Sequence, residues 1–323
     1  MIFKSNNIKS SIDQYIQLFF SFFTFYFLFT IIKKDLFLSI YIKIATIISS
    51  IAIIQEVGYL LNISFLWDYS DYFGIPEKKS FALNLLRVTA FFSEPAHLGF
   101  FLLIPIYLIY KDKKIIKHFP IPIAFILTFS FGNYLMLFLF LFLASLFIKR
   151  EKISIRTLFI IILMIIFPLI ISSIPEVNQK FNSLFITNEN MRDPENGSMF
   201  AIYSLMMANL DAWGNNLIFG AGFGNKIDIY DNYMYTQFGV IMSENAFYPD
   251  ELFLAKFFGE TGFVGLFLFI MMIKTKWRNS TIEAKIFLLA FFIVTLKSGS
   301  YYNPMLFLLL GYYLTPSSLY EKI

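Results

Sequence analysis

The chain has 323 residues, 58% of them hydrophobic and 15% charged, with mean hydropathy +0.66 and a formal net charge of +4. A soluble domain carries roughly 45–50% apolar and about 25% charged residues, so this composition excludes an ordinary soluble globular protein. The absence of cysteine excludes disulfides, a thiolate nucleophile and a cysteine-ligated metal.

The apolar residues recur in blocks long enough to cross a bilayer, roughly 20 residues each. The alternating segments of about ten residues that build a barrel are absent. The composition therefore predicts an all-α, polytopic transmembrane helical bundle, residues 1–323 forming one integral membrane domain. The first residues lack the small-residue cleavage site of a signal peptide, so the first apolar run is read as a retained span.

In chain order, spans are expected at about 14–32 and 36–62, the second containing Lys43, whose stem is long enough to snorkel to an interface. Residues 63–86 form a polar connection. A span at about 91–110 follows, closed by Lys111, Lys113, Lys114 and Lys117. The apolar block 119–148 is broken by Ser130-Phe131-Gly132-Asn133 and reads as two short spans joined by a tight turn. One more span is placed at 155–173, after Lys149-Arg150-Glu151-Lys152. The chain then turns polar over 174–250, where three basic residues stand against nine acidic ones. The last spans are at about 252–273, 282–297 and 301–315, for about nine in all, within a range of about 8–11.

Lysine and arginine concentrate at 111–117, 149–156 and 274–278. The positive-inside rule places these loops in the cytoplasm. The 63–86 connection and the acidic 174–250 segment then lie on the other side, the latter as one large external loop.

Two stretches carry residues that a lipid-embedded protein needs a reason to keep. The first is Arg87 to Gly99, R-V-T-A-F-F-S-E-P-A-H-L-G. Pro95 suits the first turn of a helix, which predicts a start near Ser93-Glu94-Pro95 with Ser93 or Glu94 as cap. The helix N-terminus favours an anion, and Arg87 a few residues upstream is a good receptor for phosphate or pyrophosphate. The plainer alternative is that Arg87 pairs with Glu94 and ties the loop down. His97 is either a catalyst or a buried, hydrogen-bonded histidine.

The second stretch runs from Phe219 to Gly265. Gly220, Gly222 and Gly224 alternate ahead of Asn225, which is neither a Rossmann nor a Walker pattern. Such glycines permit either close approach of backbone to a ligand or a plain re-entrant turn. Lys256 and Glu260 lie inside the following span, spaced i,i+4 on one face. They form either a mutual ion pair or, with Glu251, a set directed toward a wet cavity. Asp250 and Glu251 sit where a carboxylate could accept a proton from a sugar hydroxyl, or simply cap the helix. Gly262 and Gly265 point to close helix packing.

Taken in order, four motifs resemble the superfamily of O-antigen polymerases and O-antigen ligases, the Wzy type of bacterial envelope polysaccharide enzymes. They are R-V-T-A-F-F-S-E-P-A-H-L-G-F-F-L, L-T-F-S-F-G-N-Y-L, L-I-F-G-A-G-F-G-N and E-L-F-L-A-K-F-F-G-E-T-G-F-V-G-L, together covering about residues 85–312. Ligases of this family usually carry a histidine–asparagine pair about nine residues before the glutamate of the last motif. Asp250 and Glu251 stand there instead, which favours a polymerase. The resemblance implies a GT-C-like fold in the bacterial cytoplasmic (inner) membrane, with its active site on the periplasmic side. It implies a metal-independent glycosyl transfer without cofactor or nucleic acid. The donor would be a glycan on undecaprenyl pyrophosphate, the acceptor a lipid-linked repeat unit, and the working partners a chain-length regulator and a flippase. Arg87, with Arg192 as a second candidate, would hold the departing pyrophosphate. Glu251 or Asp250 would act as base, with Glu94 the further catalytic candidate, and His97, Gly220, Gly222, Gly224, Asn225, Lys256 and Glu260 would line the substrate site. A ligase on the same fold and a flippase or transporter of lipid-linked oligosaccharide are the alternatives.

Overall fold

The computed structural model describes residues 8–69, 81–82, 84–148, 197–225, 229, 252–296 and 303–315. The described residues are almost entirely helical: α1 (Ile8–Ile31), α2 (Lys34–Leu60), α3 (Ser64–Trp67), the two-residue strands β1 (Phe81–Ala82) and β2 (Leu85–Leu86), α4 (Pro95–Lys111), α5 (Pro120–Leu127), α6 (Phe131–Ile148), α7 (Gly197–Asn215), α8 (Phe253–Trp277), α9 (Ile282–Thr295) and α10 (Pro304–Leu314). Among the described residues, three segments are long and apolar enough to cross a membrane: Ile12–Ile31 of α1, α2 and α8. Helices α4, α6 and α10 are apolar but shorter. At about 1.5 Å per residue, α5 reaches only about 12 Å and does not cross a bilayer by itself. The span expected at 155–173 lies outside the described residues.

The chain divides into two compact units, Met1–Leu28 with Ile161–Pro316 and Phe29–Ile160 with Ser317–Ile323. In the unit built on α2, that helix lays Tyr41, Ala45, Ser49 and Ala52 along one buried face. Ala45, Ser49 and Ala52 are small enough to let a neighbouring backbone come close, and α2 packs along α5. The Tyr41 hydroxyl donates to the Phe101 carbonyl of α4 at 2.7 Å. β1 and β2 form an antiparallel hairpin, Phe81 opposite Leu86 and Ala82 opposite Leu85, with Asn84 in the left-handed region at φ 61°, which asparagine tolerates. The break in the 119–148 block falls at 128–130, slightly ahead of the expected Ser130–Asn133 interruption, whose last three residues open α6. Thr128 ends α5 by donating its hydroxyl to Phe125 O at 2.7 Å, and Phe129 turns at φ 43°.

In the other unit α7 packs along α8, and α9 along α10. The rings of Phe287 and Tyr312 stack at 3.8 Å. Thr281 caps α9 by accepting from Ala284 N at 3.2 Å, and Asn303 caps α10 by accepting from Met305 N at 3.0 Å. The segment expected as an external loop therefore contains a 19-residue helix lying against α8, one of the helices long and apolar enough to cross a membrane.

Candidate functional site

The first candidate region is built where β2 runs into Arg87 and then to the start of α4. The helix begins at Pro95, as the proline predicts, with Glu94 extended at φ −141°, ψ 148°. The expected side-chain cap is not made. Glu94 acts through its carbonyl, which accepts from His97 N at 3.0 Å. The Ser93 hydroxyl instead meets His97 Nδ1 at 3.0 Å. His97 is thus an oriented, half-buried histidine of the first turn.

Arg87 is half-buried. Its Nε donates to the Thr128 carbonyl at 3.2 Å, and this is the hydrogen bond it makes to the described residues. Burial pulls the guanidinium below its ordinary value, while the nearby Tyr134 and Glu94 favour its charge; it remains a cation, as arginine does in proteins.

The backbone that carries Arg87 is held from both sides. Val88 N donates to Leu127 O at 3.2 Å. From α2, Gln55 Oε1 accepts from Thr89 N at 3.0 Å and Ala90 N at 2.9 Å. Gln55 Nε2 donates to Trp67 O at 3.0 Å and to Thr89 Oγ1 at 3.3 Å. The clamp fixes Ala90 at φ 51°, a conformation alanine adopts at a cost. Downstream, Asn133 Nδ2 donates to Ala96 O at 3.0 Å. A Cβ on Gly99 would stand 1.8 Å from that nitrogen, so the glycine is needed for the contact. The arginine-containing motif and the mid-chain serine motif, read separately in the sequence, are thus docked on one another. Gln55 was missed. Its signal was a Gln55-Glu56 pair inside an apolar span, where polar groups are expensive. A Gln55→Leu variant is expected to strand two buried N–H groups, at about 1–3 kcal/mol each. Thermal unfolding of the purified protein measures it, and an unchanged midpoint would show that the loop does not rely on this side chain.

The second region lies in the other unit and centres on a break in α8. Gly262 sits at φ 61°, ψ −157°, outside helical geometry, about 14 Å along the helix from Phe253. A break exposes carbonyls on one side and N–H groups on the other, and within a bilayer these must be satisfied by protein. The stretch 217–222 supplies all four partners. Ala221 N donates to Gly259 O at 2.8 Å and Gly222 N to Glu260 O at 3.0 Å. Phe263 N donates to Leu217 O at 2.9 Å and Val264 N to Ile218 O at 3.0 Å. A Cβ on Gly220 would lie 2.5 Å from Gly259 O, and one on Gly262 would lie 2.5 Å from Gly220 N.

These glycines therefore serve close approach of backbone to backbone. Gly220 N also has a protein partner, Asn216 O at 2.7 Å, so Gly220 and Gly222 do not offer their N–H groups to a substrate. Gly224, at φ 77°, and Asn225 finish the turn. Asn225 N donates to Gly222 O at 3.3 Å and its Nδ2 to Ala221 O at 3.1 Å.

Just before the break, Lys256 Nζ lies 3.9 Å from Glu260 Oε1, with the side chains 6% and 0% exposed. The pair alternative is the one seen: these two groups face each other inside protein rather than an open cavity. Asn209 of α7 packs its Oδ1 and backbone against Gly259, which again leaves no room for a side chain. Trp213 frames the break against Phe258 and Phe263, with ring centroids at 6.2 and 5.1 Å. Arg192, Asp250 and Glu251 lie outside the described residues.

No protein-family model, curated protein or solved structure matches this chain.

Proposed function

We propose that the chain is a polysaccharide polymerase of the O-antigen type, with about nine spans in a GT-C-like arrangement and its chemistry at the periplasmic face of the inner membrane. The observation that carries the reading is the guanidinium of Arg87. Its backbone is clamped by Gln55 and its Nε is spent on Thr128 O. With Nε engaged, a bidentate phosphate contact would fall to the two Nη groups.

The acceptor hydroxyl oxygen would attack the anomeric carbon of the donor glycan. The bond from that carbon to the pyrophosphate oxygen breaks, and the electron pair leaves on the pyrophosphate, whose charge Arg87 stabilises. The hydroxyl proton passes to Glu251 or Asp250. The lipid-linked chain grows by one acceptor unit, and undecaprenyl pyrophosphate is released.

The experiment is deletion of the gene followed by analysis of surface glycan. Single repeat units on the surface lipid support a polymerase. Accumulated unattached polymer indicates a ligase, and lipid-linked units left at the cytoplasmic face indicate a flippase. Within the polymerase reading, Arg87→Ala should lower polymer formation by about 10²–10³, the usual effect of losing a transition-state charge donor, while the protein still accumulates in the membrane. Polymer of normal length in that variant would overturn the pyrophosphate assignment.

A transporter of lipid-linked oligosaccharide is the second reading. A discontinuous membrane helix with a buried Lys256–Glu260 pair beside the break favours it, because transporters place such helices at their substrate sites.

A further inference from the structure

The turn that links α4 to α5 sets lysines and large apolar side chains side by side on an exposed surface. Residues 111–117 are all exposed, and they include Lys111, Lys113, Lys114 and Lys117. One carboxylate, Asp112, offsets part of that charge by pairing with Lys114 at 2.9 Å. Among these lysines stand large apolar side chains: Ile116 is 90% exposed, Phe119 56% and Ile115 43%. An isoleucine that open, flanked by charge, is a poor residue for a water-facing turn.

The turn is also a built one. His118 Nδ1 meets the Thr46 hydroxyl of α2 at 2.9 Å, and Lys114 N donates to Ile109 O at 2.8 Å. Lys113 takes φ 56°, in the left-handed region. Burial first, and then Lys117 and Lys114, hold the His118 imidazole below its ordinary value, a sign of local positive potential. The turn starts where the apolar helix α4 ends at Lys111.

We propose that residues 111–119 dock on anionic phospholipid headgroups, with Ile115, Ile116 and Phe119 entering the interface and Lys111, Lys113, Lys114 and Lys117 meeting the phosphates. Apolar side chains buried to headgroup depth and lysines held at an anionic surface are the two parts of interfacial binding. The lysine stems can lie along the acyl boundary with their ammonium groups outward. The docking holds α4 and α5 in register with the membrane surface and does not depend on which reaction the protein performs.

The cysteine-free sequence makes the test direct. Ile116→Cys introduces a single labelling site for an environment-sensitive fluorophore in the full-length protein. The labelled protein is reconstituted into vesicles of phosphatidylcholine alone and of phosphatidylcholine mixed with phosphatidylglycerol. The expected result is a blue-shifted emission, protected from aqueous quencher, in the anionic vesicles. That shift is lost at about 1 M salt, where the Debye length falls to about 3 Å. It is also lost when the four lysines are changed to glutamine, a variant whose exposed substitutions leave the fold intact by size exclusion and thermal unfolding. Emission of a water-exposed probe in both vesicles overturns the proposal. So does an equal shift in both, which would mean apolar insertion without headgroup recognition. Protection that appears only in native membranes, with cross-links to an acidic protein, overturns it too.

Discussion

Gly262→Ala and Gly220→Ala are each expected to cost several kcal/mol and to leave little monodisperse protein. Both positions lie in the left-handed region, φ 61° and 65°, which costs a non-glycine residue about 1–2 kcal/mol before any contact is counted. The added Cβ would then stand 2.5 Å from backbone atoms of the partner segment. Backbone cannot rotate aside, so the stretch 217–222 must back away from α8. Up to four hydrogen bonds across the break are then stretched or lost, with about 1–3 kcal/mol for each buried group left unsatisfied. Gly214→Ala is the control. It lies in α7 with open space around it, and there alanine should be neutral or stabilising by about 0.5–1 kcal/mol. Thermal unfolding of the three variants, alongside size exclusion, gives the comparison. If Gly262→Ala behaves like Gly214→Ala, the loop does not complete the broken helix.

The second large effect belongs to the buried ion pair. Lys256→Met is expected to destabilise by about 3–5 kcal/mol, because it leaves Glu260, with a side chain that is 0% exposed, without its counter-charge. The double variant Lys256→Met, Glu260→Gln should recover most of that loss, since a buried pair replaced as a unit is often neutral in stability. The comparison also separates two roles. A structural pair gives a double variant that is both stable and active. A pair that handles substrate or moves charge gives a double variant that is stable and inactive, which is the outcome the transporter reading requires. A single variant with wild-type stability would show that the two charges are solvated in the membrane.

Much of the helical layout was legible because its signals are local. Apolar runs of membrane length placed α1, α2 and α8. Pro95 marked the start of α4, because a proline favours the first turn and disfavours helix at the residue before it. The polar interruption at 130–133 announced a break between α5 and α6, which falls slightly earlier, at 128–130. The i,i+4 spacing of Lys256 and Glu260 was enough to put both on one face. The same local logic misjudged length. The apolar block 119–148 was read as two short spans, but Thr128 and Phe129 stop the first helix after eight residues.

The roles of the glycines and of Gln55 could not be read this way. Sequence says that Gly220, Gly222 and Gly262 can adopt positive φ and admit a close neighbour. It does not say that the neighbour of each pair is the other, some forty residues away. Gly262 in a helical pattern looks like a packing residue, because the break it causes is visible only when the orphaned carbonyls and N–H groups find their partners. Gln55 likewise looks like one polar residue in an apolar helix until Thr89 and Ala90 present their N–H groups to it. Composition and periodicity by themselves determined that this chain is built of apolar helices, several long enough to cross a bilayer, since burial of apolar surface and backbone satisfaction within a helix are local demands. The broken helix, the loop that mends it and the clamp beneath Arg87 were decided only by tertiary structure, because a buried donor can be satisfied by an acceptor from any part of the chain.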